Sequence, residues 1–305
     1  MSPFLASVVQ AAPVFFDKLK TLQKIGQLIR AAAKEKAKLI LFPEVLIPGY
    51  PRGLIFGTTV GGRTPEGRDL FLQYWENAIE VPGKETAQLA AWAKEAKAFV
   101  VIGVTERDSI SDTLYCSLLY FSPEGRLIHR HRKIKPTAAE RIIWGEGDGT
   151  DLQVLDSPLG KIGGLICWEN YMPLARTTLY QQGIEVYLAP TADCRDSWQA
   201  TLTHIACEGR CFVLGCNQYL TKAHYPATLR KKLQPNHPSL PSTGGSVILS
   251  PFGKVLAGPS YGKEEILMAE IDHREIIRAK MDFDVIGHYA RPDIFQLEWK
   301  KKPTP

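Results

Sequence analysis

Residues 99–105 read Phe-Val-Val-Ile-Gly-Val-Thr, a run without charge and without alternation of apolar and polar positions. It is too short for a buried helix, and as a strand it is stable only if both faces are covered. The chain must therefore layer other elements on both sides of a sheet. The rest of the sequence supplies them. Short apolar runs fall at 4–10, 39–42 and 114–121, and again at 161–167, 186–188 and 212–218. Between them lie helical periods. From Asp17, a capping residue, to Lys36 the positions Leu19, Leu22, Ile25, Leu28, Ile29 and Ala32 keep one face, and further helices are expected over 84–97, 173–182 and 197–208. Runs at 246–250, 254–257 and 266–271 close a β-rich end, turning at Pro251-Phe252-Gly253-Lys254. Alternation of this kind specifies a layered α/β architecture.

At 305 residues the chain is long enough for two domains, yet no shift in composition divides it, so a single domain over 1–305 is expected, with a short tail from about 296. Charged residues make up 23%, too few for a disordered chain beside 45% apolar residues. The excess of +5 is spread out, apart from clusters at 130–135, 230–232 and 300–302. No basic helix or interleaved aromatic accompanies them, which argues against a nucleic-acid partner. No stretch reaches the ~18 apolar residues of a membrane span. Residues 1–16 lack a basic leader region and are interrupted by Gln10, so they read as a strand. Six cysteines without a Cys-x-x-Cys pair exclude a disulfide scaffold or zinc ribbon and point to a reducing compartment, the cytoplasm. Two long segments, 53–69 and 221–245, read as loops serving the site or assembly.

Three residues at the ends of apolar runs can carry chemistry. Cys167 follows Ile162-Gly163-Gly164-Leu165-Ile166 and precedes a helix, a place where backbone N–H groups can lower a thiol pKa and cradle an anion; otherwise it is an inert buried cysteine. Glu44 ends Leu41-Phe42-Pro43-Glu44 and is either a solvated loop residue or, beside a thiol, a general base whose pKa burial raises. Lys133 lies in His129-Arg130-His131-Arg132-Lys133-Ile134-Lys135-Pro136, either a solvated basic strand or one with a single cation turned inward.

In this order the three segments resemble the nitrilase superfamily of carbon–nitrogen hydrolases, and most closely its nitrilase branch. The resemblance rests on Phe42-Pro43-Glu44, the run His131 to Arg141, Trp144-Gly145-Glu146-Gly147-Asp148-Gly149, Cys167-Trp168-Glu169-Asn170 and Gly287-His288-Tyr289-Ala290-Arg291-Pro292-Asp293. It implies a four-layer αββα sandwich with Cys167 on an elbow between strand and helix. It also implies Cys167 as nucleophile, Glu44 as general base, Lys133 as the ammonium that steadies the tetrahedral species, and Glu140 as a second glutamate positioning that lysine. The Trp168 N–H would be the other oxyanion-hole donor. The chemistry implied is hydrolysis of an organic nitrile to acid and ammonia through a thioimidate and an acyl-thioester, with no metal or cofactor. An amidase, or a member acting on cyanide or stopping at the amide, is the alternative; Cys167-Trp168-Glu169 favours the nitrilase branch, and Asn170 stands where cyanide-acting relatives carry His.

Tyr50, Thr191 and Trp198 are pocket residues by the same resemblance, although Tyr50 reads equally as a turn aromatic and Trp198 as helix core. His204, Cys207 and Cys211 are spaced for one helix face, but no fourth metal ligand follows; His204 is expected to be a satisfied core histidine. Lys135, Arg132 and Arg141 read as surface or ion-pair residues. The resemblance further implies a homodimer or larger homo-oligomer; the sequence ends soon after Arg291-Pro292-Asp293, which leaves spiral assembly open.

Overall fold

The computed structural model describes residues 2–234 and 238–300. Residues 235–237 of the second long segment, and Lys301 and Lys302 of the last basic cluster, lie outside the described residues.

The chain begins with β1 (Phe4–Gln10), α1 (Lys18–Lys34) and β2 (Leu39–Leu41). A short hairpin, β3 (Thr58–Thr59) and β4 (Gly62–Arg63), leads into α2 (Pro65–Glu76). Then come β5 (Ile79–Glu80), α3 (Lys84–Ala96), β6 (Phe99–Arg107), β7 (Leu114–Phe121) and β8 (Leu127–Arg132). The second half runs β9 (Leu155–Ser157), β10 (Gly160–Gly164), α4 (Pro173–Gln181), β11 (Val186–Thr191), α5 (Asp196–Gly209) and β12 (Phe212–Asn217). It ends with β13 (Tyr219–Leu220), α6 (Ala227–Arg230), β14 (Ser242–Leu249), β15 (Val255–Tyr261), β16 (Glu265–Ile271) and α7 (Arg274–Lys280).

Two seven-stranded sheets result. One has the order β16-β1-β2-β6-β7-β8 with β5 beside β6; the other is β13-β14-β12-β11-β10-β9 with β15 beside β14. The apolar run that opened the argument is β6, and its faces part as its composition demands. Val100, Ile102 and Val104 pack with Leu22, Ile25 and Ile29 of α1 and Leu89 and Ala93 of α3. Val101 turns the other way, into a core shared with Leu188, Leu214 and Ile248 of the opposite sheet. The outer face of that second sheet packs on α4 and α5 through Leu179, Leu202 and Ile205. The layers are helix, sheet, sheet, helix.

Parallel pairing decides where chemistry can gather. β1, β2 and β6 run parallel, and β8, two antiparallel steps from β6, shares their direction. β10, β11 and β12 are parallel in the other sheet. Ligands bind outside the carboxyl ends of such strands. Glu44 follows β2, Lys133 follows β8, Cys167 follows β10 and Thr191 ends β11.

Both long segments carry more structure than expected. Thr64 caps α2 by accepting the Gly67 N–H, and Pro65 fills the first helical position. The helix buries Leu70 and Tyr74, a pair four residues apart that the glycines around it obscured in the sequence. Segment 221–245 holds α6 and the start of β14. The strand expected at 254–257 extends to Tyr261. Among the described residues no helix is long and apolar enough to cross a membrane.

Candidate active site

The Glu44 turn is pinned from two sides. Phe42 N–H donates to Val101 O, Gly103 N–H to Pro43 O and Leu46 N–H to Gly103 O, while Gln218 Nε2 donates to Glu44 O at 2.7 Å. With its backbone fixed, the Glu44 side chain is wholly buried. Its Oε1 accepts the Lys133 ammonium at 2.7 Å and faces Cys116 Sγ at 3.6 Å; its Oε2 is buried and has no hydrogen-bond partner. Burial raises the Glu44 pKa; the Lys133 charge opposes this, and Glu140 adds to it. A carboxylate left short of hydrogen bonds in this way is a strong base for its type.

Lys133 is held by its own N–H to Cys116 O. Burial works against its charge, but Glu44, Cys167, Cys116 and Glu140 outweigh that and hold its pKa well above the ordinary value. Its second acceptor is Glu140 Oε2 at 2.8 Å. Glu140 is itself fixed by the Thr137 N–H at 2.7 Å and the Tyr50 hydroxyl at 2.6 Å. Burial, then the Glu140 charge, keeps that phenol protonated, so it donates.

Cys167 opens a one-turn helix, Cys167–Tyr171, with φ of 52°, a left-handed conformation that costs a side-chain-bearing residue of order 1–3 kcal/mol. Asn170 holds the turn: its Nδ2 donates to Leu165 O at 3.0 Å and Cys167 O at 2.7 Å, and Tyr187 hydroxyl secures its Oδ1 at 2.8 Å. This is the strained strand-to-helix elbow on which nucleophiles are presented. Trp168 N–H is among the first donors of that turn, which have no partner within it. Thr191 Oγ1 donates to Cys167 Sγ at 3.1 Å. The thiol pKa is not lowered, as the turn alone suggested. Burial and then the Glu44 charge push it up to about 12, despite Lys133. At neutral pH the thiol therefore keeps its proton.

A cavity of about 170 Å³ opens on this group, walled by Tyr50, Arg52, Glu140, Cys167, Trp168 and Asp193. A second, of about 200 Å³, shares Tyr50, Arg52 and Glu140 and adds the apolar Leu54, Ile143 and Trp144. Thus Glu44, Lys133, Glu140, Cys167, Trp168, Tyr50 and Thr191 come together.

Trp198 does not line either cavity. It is 1% exposed in the core beneath α4 and α5, its ring 6.0 Å from that of Tyr171, as its alternative reading as helix core had it. His204, by contrast, is no core residue: its side chain is 64% exposed on α5, 3.5 Å from Glu208. The helix ends at Gly209 with Arg210 left-handed, so Cys211 leaves the face of His204 and Cys207. Arg132 pairs with Glu106 and Asp108, and Lys135 with Glu146.

The supporting roles of four residues escaped the sequence reading. Gln218 and Asn170 clamp carbonyls at the Glu44 and Cys167 turns. Arg52 walls the cavity and donates to Ala192 O. Beneath the site, His131 is buried between Asp151 and Glu169. The period of two in β8 carried that signal, because His131 and Lys133 fall on the same face.

With the geometry in place, comparison with known proteins is decisive. Residues 5–281 match the model of the carbon–nitrogen hydrolase family. The chain belongs to that family. An aliphatic nitrilase of Sinorhizobium fredii is 52% identical over 99% of this chain and 97% of its own length. A bifunctional nitrilase/nitrile hydratase of Nicotiana tabacum is 52% identical over 96% of this chain and 84% of its own. Among solved structures, the fold matches Saccharomyces cerevisiae Nit3, a member of branch 10 of the nitrilase superfamily, with a TM-score of 0.73 and 23% identity over 94% of this chain and 96% of that one. It also matches a carbon–nitrogen hydrolase of Helicobacter pylori at 0.75, with 20% identity over 96% and 97% of the two chains.

Proposed function

We propose that this carbon–nitrogen hydrolase is a nitrilase, converting R–C≡N and two waters to a carboxylic acid and ammonia on Cys167. The observation that carries the reading is the single cluster in which Lys133 Nζ bridges Glu44 and Glu140 beside the Cys167 elbow. Glu44 Oε2 takes the thiol proton as Sγ adds to the nitrile carbon. Charge developing on nitrogen meets the Lys133 ammonium and the Trp168 N–H, and the returned proton gives a thioimidate. Glu44 then removes a proton from water as its oxygen adds to the same carbon. That proton passes to nitrogen, giving a tetrahedral carbon with OH and NH2; the hydroxyl proton then moves through Glu44 to nitrogen as the C–N bond breaks, and ammonia leaves an acyl-thioester. A second water, activated in the same way, adds to the acyl carbon, and the carboxylic acid departs as the thiol is restored. Glu140 and Tyr50 keep the ammonium aimed at this carbon.

The cavity favours small substrates: an engineered apolar cavity of about 150 Å³ holds one benzene, and about 170 Å³ is present beside Cys167. The apolar wall of Leu54, Ile143 and Trp144 offers space for a short organic chain. The family match over residues 5–281 supports one catalytic domain. Self-association into a dimer or larger homo-oligomer belongs to the same proposal, and sedimentation of the purified chain measures it.

Ammonia release from a panel of aliphatic and arylaliphatic nitriles, with mass spectrometry of enzyme quenched in turnover, tests the reading. An acyl mass on Cys167 supports it; silence across the panel sinks it. Release of amide is the second reading, favoured by relatives named as both nitrilase and nitrile hydratase. It follows if the tetrahedral species formed by the first water expels the thiolate before ammonia, and the amide-to-acid ratio measures it.

A further inference from the structure

Beneath the site, and sharing no side chain with it, lies a row of three buried titratable groups. His131 Nδ1 is 2.8 Å from Asp151 Oδ1, and its Nε2 is 3.0 Å from Glu169 Oε2. The three are 1%, 7% and 1% exposed, so the charges face each other rather than water. Opposed by burial but carried by Glu169 and Asp151, the imidazole pKa rises to about 10, which makes it a cation between two carboxylates at neutral pH. Such a row is costly to bury unless its remaining lone pairs are satisfied. Those of Glu169 are satisfied in an informative way. Its Oε1 accepts the Ile134 N–H at 2.5 Å and its Oε2 accepts the Ile166 N–H at 2.6 Å. Ile134 follows Lys133 and Ile166 precedes Cys167. One carboxylate thus ties the backbone beside the ammonium in one sheet to the backbone beside the nucleophile in the other. At the far end, Asp151 Oδ2 accepts the Arg132 N–H at 2.9 Å, so the row grips the lysine segment twice.

We propose that Glu169, held in place by His131 and Asp151, is a positioning residue that sets the separation of the Cys167 sulfur from the Lys133 ammonium. Among the described residues no other side chain accepts backbone N–H groups from both segments: Glu44 meets Lys133 and Cys167 through their side chains, Glu140 meets the lysine side chain, and Thr191 meets the sulfur. The role rests on Cys167 and Lys133 acting together, as in the function proposed above, but not on which carbon–nitrogen bond they open.

The test compares wild type with Glu169→Gln, Glu169→Asp and His131→Gln. An amide at 169 presents one acceptor and sets its NH2 against a backbone N–H, so one tie breaks. The shorter Asp keeps the charge but cannot reach both donors. Displacing reacting groups by about 1 Å can cost about 100-fold in rate. We therefore expect kcat, per folded molecule, to fall about 10–100-fold in Glu169→Gln, with KM within about threefold. Glu169→Asp should recover only part of this, and His131→Gln, which retains a donor, should lose less. Should Glu169→Gln not fold, His131→Gln and Glu169→Asp carry the same comparison. Alkylation of Cys167 by iodoacetamide, followed by mass spectrometry, needs no nitrile and should slow by about fivefold or more. If kcat per folded molecule or the alkylation rate stays at the wild-type value, the positioning role is overturned. If wild type turns over no nitrile while alkylation still slows in the variants, the nitrilase reading fails and the positioning role stands.

Discussion

Lys133 Nζ lies 2.7 Å from Glu44 Oε1, and both side chains are wholly shielded from solvent. The one ammonium therefore serves two buried acidic groups, Glu44 and Glu140, and lies between them. Replacing it removes a charged donor aimed at the developing negative charge, worth about 100–1,000-fold in kcat. It also strands two acidic groups, costing about 3–5 kcal/mol of stability. Lys133→Met should show both losses, in ammonia release and in urea unfolding. A variant that retains activity within tenfold of wild type, on the order of one weak contact, would remove Lys133 from the mechanism.

The sulfur has a smaller helper. Thr191 Oγ1 donates to Cys167 Sγ at 3.1 Å and accepts the Asp193 N–H at 2.9 Å. A hydrogen bond to a group that becomes charged is worth about 1.5–3 kcal/mol. Thr191→Val keeps the volume and deletes the hydroxyl. We expect kcat about 10–100-fold lower and slower alkylation of Cys167, with little change in cavity volume. Equal alkylation rates in the two proteins would show that the hydroxyl serves the fold and not the thiol.

Much of this site was readable because its three principal groups interrupt apolar strands, and a charge at the end of a buried strand demands a reason. Glu44 and Cys167 show it plainly. The basic stretch from His129 to Lys135 was harder, since composition cannot say which cation turns inward; the alternation of β8, continued one residue further by the Lys133 N–H to Cys116 O, places His131 and Lys133 on one face. The contacts of Asp151 and Glu169 were invisible for a different cause. Their partners lie 20 and 38 residues away, and only the packing of two sheets brings them together. Trp198 marks the opposite error, in which a resemblance places an aromatic at the pocket that the helix packing draws into the outer core. α2 was missed because Gly61, Gly62 and Gly67 hid the Thr64–Pro65 start signal.

The His131 row also predicts how stability depends on pH. The two carboxylates raise the imidazole pKa to about 10 in the folded chain, above the 6.5 of a free imidazole that the unfolded chain takes. The folded state thus holds the proton more tightly, and the resulting stabilisation is complete below pH 6.5 and lost as pH rises through 10. Urea unfolding at a series of pH values across this window should show stability declining upward. In His131→Gln the slope attributable to this group should vanish. A wild-type profile that rises or stays level there, once the other titrating groups are subtracted by the variant, contradicts a buried imidazolium.

Gly103 supplies the sharpest test of how the sheet places the base. Mid-strand in β6, it lies against the Glu44 turn, and a Cβ built there would approach Pro43 O to 2.5 Å and both Glu44 Cα and Val45 N to 2.6 Å. All three are backbone atoms, so nothing flexible can yield. The turn is also bonded to this residue through Gly103 N–H to Pro43 O and Leu46 N–H to Gly103 O. One added methyl must therefore push Glu44 off its line to Cys167 or part the two strands. Gly103→Ala should lower kcat by about 100-fold, the cost of a displacement near 1 Å, and destabilise by about 1–3 kcal/mol, as overpacking does. Gly61→Ala serves as the comparison, because a Cβ there meets nothing within 4 Å; its φ of 78° strains the β3–β4 turn and not the Glu44 turn, so stability falls while kcat holds. If Gly103→Ala keeps full kcat in its folded fraction, Glu44 is not held by the strand beneath it.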